Sequence, residues 1–292
     1  MKKKLSALLV AAMALSLAAC GGSTASTAST AESAVSESAA SESTAAESAA
    51  SESSAAESVA SESSAAESMT EEADGISFGD VMTYEEFAAA ETDTLVTVET
   101  YVQAKQSWWE DKATIYTQAE DGAYFLYNMP CSEEEYDALV TGTKIKVAGY
   151  KAEWSGEIEI IDAIFEIEEG EFIAKATDVT GYLGTDDLAN YMNQYVSFTG
   201  MTVEAAGKDE AGNDVAFLYN WDGSGQDGDD LYFNVSRDGQ TYSFTVESYL
   251  TGAGTDVYEA VKALEVGQTV DLNGFLYWYE GANPHITSVS AA

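Results

Sequence analysis

Residues 76–292 contain one order of elements written twice, and that repetition restricts the fold more than any single motif. The first copy opens with Thr83-Tyr84-Glu85-Glu86, a capping-box pattern that starts a short helix. Val96, Val98, Val102 and Ala104 then alternate with polar neighbours, the pattern of a strand with one buried face. Residues 113–119 and 123–129 read as strands joined at Glu120-Asp121-Gly122. Ser132 and Glu135 form a second capping box ahead of Tyr136, Leu139 and Val140, with Gly142 expected to end that helix. Strands at 144–153 and 157–165 follow. The second copy repeats the order: a helix at 186–192, a strand at 196–203 with a bulge expected at Gly200, and a hairpin of 231–235 and 242–246 around Arg237-Asp238-Gly239. A helix at 256–264 and strands at 269–279 and 285–289 complete it. Gly149-Tyr150 and Trp154-Ser155-Gly156 of the first copy match Gly274-Phe275 and Tyr279-Glu280-Gly281 of the second.

Five strands with a helix between the third and fourth, in units of about 100 residues, resemble the OB-fold. The predicted fold class is therefore mainly β: two tandem five-stranded OB-like barrels with short helices, at 76–172 and 173–292. An SH3-like barrel is the rival architecture, and it usually lacks the inserted helix. The resemblance implies ligand binding on the face of strands 2 and 3, flanked by the loops joining strands 1–2 and 4–5. In this chain those loops are 105–112 with 153–157, and 205–230 with 279–284.

The tryptophans fall in or beside these loops: Trp108, Trp109 and Trp154 in the first copy, Trp221 and Trp278 in the second, with Tyr279 adjacent. Flat rings beside carboxylates and amides suit stacking on sugars or capture of ammonium groups, so these six are the candidate ligand-binding residues. Trp108, Trp109 and Trp154 are expected to line one groove. The competing role for each ring is to close a barrel end or to pack one domain on the other. Asp222, Asp227, Asp229 and Asp230 offer oxygens of the kind that hold Ca²⁺. Their spacing fails the EF-hand pattern, because Asp227 stands where glycine is required and Phe233 where glutamate is required, which favours a solvated acidic loop. No other cofactor is implied. His285 is the sole histidine, Cys131 precedes the Ser132 cap, and neither belongs to a nucleophile or zinc motif. The chain thus reads as a non-enzyme.

Charge narrows the partners. Of 51 acidic and 12 basic residues, eleven acids lie between 21 and 75 and three lysines open the chain, leaving 40 acids against nine bases in 76–292. A net charge of −31 there opposes phosphate neutralisation, so nucleic acid is excluded as an expected partner. Glycans and protein partners remain.

The start of the chain places it in the cell. Lys2, Lys3 and Lys4 precede an apolar run that is short for a membrane span and has the layout of an export signal, 1–19. Leu17-Ala18-Ala19-Cys20 resembles the lipobox of bacterial lipoproteins. That resemblance implies a diacylglycerol on the Cys20 thiol, cleavage just before it, and lipid anchoring to the cell membrane facing away from the cytoplasm. Residues 20–75 carry Glu every five residues, from Glu32 to Glu67, among Ser and Ala. Five residues turn a helix by about 500°, so no apolar stripe forms, and a disordered tether is expected. The first reading is a non-catalytic binding module for a glycan or protein; behind it stand a structural or interaction protein of the envelope and, last, a hydrolase working through carboxylates, for which no acid–base or nucleophile arrangement is readable.

Overall fold

The computed structural model describes residues 75–292. The expected signal, Cys20 and the tether up to residue 74 lie outside the described residues. In order, the first copy comprises α1 (Tyr84–Ala89), β1 (Leu95–Lys105), β2 (Lys112–Gln118), β3 (Ala123–Pro130), α2 (Glu133–Ala138), β4 (Thr143–Trp154) and β5 (Glu157–Glu171). The second comprises β6 (Thr177–Asp178), two 3₁₀ turns, β7 (Tyr195–Glu204), short β8 (Gly207–Lys208), β9 (Asp214–Val215) and β10 (Phe217–Tyr219), then β11 (Leu231–Arg237), β12 (Gln240–Val246), α3 (Asp256–Lys262), β13 (Thr269–Phe275) and β14 (His285–Ala291).

The first five strands close in the order β1-β2-β3-β5-β4, with β4 returning to β1 and the β3–β5 pair parallel. In the second copy β7, β11, β12, β14 and β13 close the same ring, again with one parallel pair, β12–β14. In each copy a helix bridges strands 3 and 4. Both units are OB-like barrels. Closure leaves no free edge in either ring.

Local chemistry accounts for most element boundaries. Thr83 and Ser132 each accept from the N3 backbone N–H, while Glu86 and Glu135 reach back to the cap N–H, so both capping boxes are complete. The carbonyls at the end of α1 are met by Lys151, whose buried Nζ donates to Phe87 O, Ala88 O and Ala90 O at 2.9, 3.0 and 2.7 Å. Asp238 and Gly239 both take positive φ, 52° and 82°, as a two-residue hairpin requires. Opposite Val270–Leu272, β7 spends one extra residue between Phe198 and Met201, which is the bulge expected at Gly200.

The glycine pair shared by the two copies has a common cause. A Cβ on Gly149 would sit 2.7 Å from Ile160 Cγ2 and 2.8 Å from Ile161 O. On Gly274 it would sit 2.2 Å from His285 O. At both places the fourth strand crosses the fifth too closely for a side chain.

Several boundaries differ from the sequence reading. The helix after Ser132 stops at Ala138, with Gly142 (φ 94°) turning the chain into β4 instead of capping the helix. The helix expected at 186–192 is 3₁₀, Asp186–Tyr191. Strand β5 runs on to Glu171 along β4. Strand β13 ends at Phe275, because the following residues leave the ladder to meet the first barrel.

Candidate functional site on the second barrel

Strand β2 from Ala113 onward and β3 from Ala123 to Leu126 are buried on both faces. Ile115, Tyr124 and Leu126 fill the first barrel, while Tyr116 and Phe125, pointing outward, form a separate cluster with Phe275 of the second barrel. Tyr116 stacks on Phe275 with centroids 4.5 Å apart, and its hydroxyl lies 2.9 Å from His285 Nδ1. Gln118 Oε1 accepts from Tyr195 N–H at 2.8 Å, and Ser107 N–H donates to Tyr249 O at 2.7 Å. The face through which an OB domain meets its ligand is, in the first barrel, covered by the second.

Burial disfavours the charged form of the titratable groups in this seam. Solvent does not reach Glu157, and burial pushes its carboxyl up to about 8 even though Oε2 accepts from Trp278 N–H at 2.8 Å. Glu157 Oε1 and the neighbouring Asn193 Oδ1 have no hydrogen-bond donor. Burial likewise raises Glu247 to about 7 and lowers His285 to about 3, so the imidazole is neutral at pH 7. Cys131 is buried beneath α2; burial first, and Glu135 next, push its thiol up to about 11. That removes it as a nucleophile near neutrality.

The corresponding face of the second barrel is open. In β11 the side chains alternate: Leu231, Phe233 and Val235 enter the core, and Tyr232 and Asn234 point out. With Ser243 of β12 they floor a cleft of about 350 Å³. One wall is the long β7–β11 connection, through Ala206, Leu218 and Trp221; the other is the β13–β14 connection, through Tyr279, Ala282 and Asn283. Strand β10 stiffens the first wall by pairing with Leu231–Phe233, leaving Asn234–Ser236 for β7. The second wall is tied by Asn283 Oδ1, which accepts from Thr245 Oγ1 at 2.8 Å, and by Asn283 N–H to Tyr277 O at 2.9 Å. Asn234 Nδ2 donates to Ala205 O at 3.1 Å. These bonds fix both amides and leave Asn234 Oδ1 and Asn283 Nδ2 as an acceptor and a donor for a ligand. No lining residue is charged. The chemistry on offer is ring faces, hydroxyls and amides.

The six aromatic candidates separate. Trp221 is 76 % exposed and Tyr279 is 47 % exposed, both on the cleft. Trp154, 53 % exposed, packs on Tyr279 from the first barrel with centroids 5.2 Å apart. Trp109 is exposed at the tip of the β1–β2 connection, away from the cleft. Trp278 is half-buried in the seam. Trp108 packs against the first core and donates Nε1–H to Cys131 O at 3.0 Å. The groove expected from Trp108, Trp109 and Trp154 is therefore not formed, because the β4–β5 turn leans onto the second barrel.

Nor do the four aspartates converge. Asp222 Oδ1 accepts from Ser224 N–H, Asp229 Oδ2 from Gln226 N–H and Asp230 Oδ1 from Ser248 N–H, while Asp227 pairs with Lys262 Nζ at 2.8 Å. Among the described residues no group of three acidic, His or Cys side chains is arranged to hold a metal ion. The loop is instead pinned to α3: the Tyr258 hydroxyl accepts from Gly228 N–H and donates to Asp229 O.

The sequence reading missed Tyr232, Asn234, Ser243 and Asn283. The outward positions of β11 were legible from its alternation. Which barrel kept that face open was not.

No family model matches the chain, and no curated protein matches it. Among solved structures it is similar to a murine DNA-binding protein bound to double-stranded DNA, at 10 % identity over 67 % of this chain and 96 % of that one, TM-score 0.33. A HINa domain in complex with double-stranded DNA gives 9 % identity, 68 % and 96 % coverage, and TM-score 0.31. A deletion mutant of the single-stranded DNA-binding protein from Thermus aquaticus gives 13 %, 67 % and 92 %, and TM-score 0.23. At these TM-scores the likeness carries no function across. It does run against the exclusion of nucleic acid drawn from net charge, and that exclusion is withdrawn. Net charge sums the whole surface, whereas an OB domain meets its ligand through one face, and here that face is uncharged.

Proposed function

We propose that this chain is a non-catalytic binding module anchored outside the cytoplasm by lipid on Cys20, and that the cleft of its second barrel takes a neutral glycan. The observation that carries the reading is the cleft itself. It lies on the ligand face of an OB-like barrel, between the two loops that serve such sites, and combines exposed rings with amides and hydroxyls but no charge. Ring faces stack on the apolar faces of sugars, and Tyr232, Asn234, Ser243 and Asn283 offer both donors and acceptors to hydroxyls. No carboxylate, imidazole or thiol lines the cleft, which supports binding over hydrolysis. The anchor rests on the sequence around Cys20; among the described residues no helix is long and apolar enough to cross a membrane.

The test is titration of the purified chain with neutral sugars while following tryptophan fluorescence, to which the exposed Trp221 contributes. Saturable quenching that is lost in Trp221→Ala and weakened about fivefold or more in Asn234→Ala is expected, because a fixed amide left without its partner costs about 1–3 kcal/mol. Quenching that survives both substitutions, or an oligonucleotide that occupies the cleft while sugars do not, overturns the reading.

A further inference from the structure

We infer that the first barrel completes the second barrel's site, and that the ligand is a chain of two or more linked sugar rings. This rests on the reading of the cleft as a glycan site and goes beyond it in naming a composite surface and a minimum length.

The first observation is where the aromatic surface ends. Trp221 and Tyr279 stand on opposite walls of the cleft, but Trp154 does not line it. It sits outside, on the far barrel, with its ring tilted 41° against Tyr279. The aromatic surface thus runs out of the cleft, over Tyr279, and onto the first barrel. A ring needed only to seal the seam would be covered, as Tyr116 and Phe275 are. Trp154 instead leaves 53 % of its surface in water beside a Tyr279 that leaves 47 %, a contiguous apolar patch at the mouth of a polar cleft. One sugar ring seated in the cleft leaves Trp154 unused. A second ring, leaving over Tyr279, meets it.

The second observation is rigidity. The turn that carries Trp154 is fastened to the loop that carries Tyr279 at three points. Glu280 N–H donates to Ser155 O at 2.7 Å, and Trp278 N–H donates to Glu157 Oε2 at 2.8 Å. Gly156 lies so close to the Trp278 indole that a Cβ there would fall 2.8 Å from Cδ1. Two rings held on one frame need no ordering when a ligand arrives, which is the condition under which each added contact raises affinity. The lining of the cleft carries no charged side chain, which favours an uncharged chain over an anionic one.

The experiment compares N-acetylglucosamine and glucose with their linear β-1,4-linked trimers and pentamers, titrated into the full-length chain and its Trp154→Ala, Trp154→Phe and Trp221→Ala variants. Thermal melts confirm that each is folded. In the parent chain the pentamer of the preferred series is expected to bind about fivefold or more tighter than its monomer, the gain from one extra stacked ring. Trp154→Ala should bring that ratio close to one, and Trp154→Phe should restore part of it. A ratio near one in the parent, or a full ratio in Trp154→Ala, overturns the composite site while binding that needs Trp221 upholds the cleft. If no sugar of any length binds, or Trp221→Ala binds as the parent does, both readings fall.

Discussion

Glu157 gives the sharpest test of the seam. Its carboxyl is raised by burial from 4.5 to about 8, so the folded chain keeps a proton that the unfolded chain loses. The sign follows from the proton count. Below pH 4.5 both states are protonated and the group is neutral in its effect. Between 4.5 and about 8 only the unfolded state ionises, and stability falls by about 1.4 kcal/mol per pH unit. Above that both states are ionised and the loss is complete. Between pH 5 and pH 9 this one group should therefore cost the parent chain about 4 kcal/mol. Glu157→Gln keeps the shape and an acceptor for Trp278 N–H, and carries no charge at any pH. Urea denaturation at pH 5, 7 and 9, followed by tryptophan fluorescence, should show the variant within about 1 kcal/mol of the parent at pH 5 and ahead of it by about 4 kcal/mol at pH 9. Glu159 and Glu247 are also raised, with the same sign, and both proteins retain them; Glu247 drops out of the difference, and Glu159 enters it only through its coulombic coupling to Glu157. Parallel curves across the three pH values, or a variant that is the weaker at pH 9, would refute the protonated seam.

Three further outcomes follow from named contacts. Trp108→Ala should lose about 3 kcal/mol by urea denaturation, since the half-buried indole packs on the first core, whereas Trp221→Ala should stay within about 0.5 kcal/mol. Gly274→Ala drives a methyl into His285 O and should lose about 3 kcal/mol or fail to fold; Gly181→Ala, with open space around it, should melt with the parent. Cys20→Ser should release the chain from the membrane fraction or leave it unprocessed, and unchanged detergent-dependent attachment at the normal mature mass would end the lipobox assignment.

Much of the architecture is written locally. Alternation along 96–104 and 231–235, the two capping boxes, the Asp238-Gly239 turn and the doubled Gly149/Gly274 each act within a few residues or at one strand crossing. Such signals survive in sequence because the physics behind them is short-ranged: side-chain period, cap hydrogen bonds and allowed φ. The boundaries misjudged at Phe275 and Glu171 are those where a strand's length depends on what it meets next.

The site was legible only as a set of loops. Tyr116 and Tyr232 are the same residue type, each facing outward from the second strand of its barrel. Tyr116 is fully buried against Phe275 and His285, while Tyr232 floors an open cleft. Nothing in either strand's own pattern separates the two, because the difference is made by contacts distant in sequence, Tyr116 to His285 across 169 residues among them. The sequence determined two barrels, their caps, their turns and an aromatic-rich edge. Only the docking of one barrel on the other decided which face was buried, which stayed open, and that Trp154 stands beside Tyr279 and not beside Trp108. Period and propensity act along the chain, whereas the complementarity of two folded surfaces exists only once both have formed.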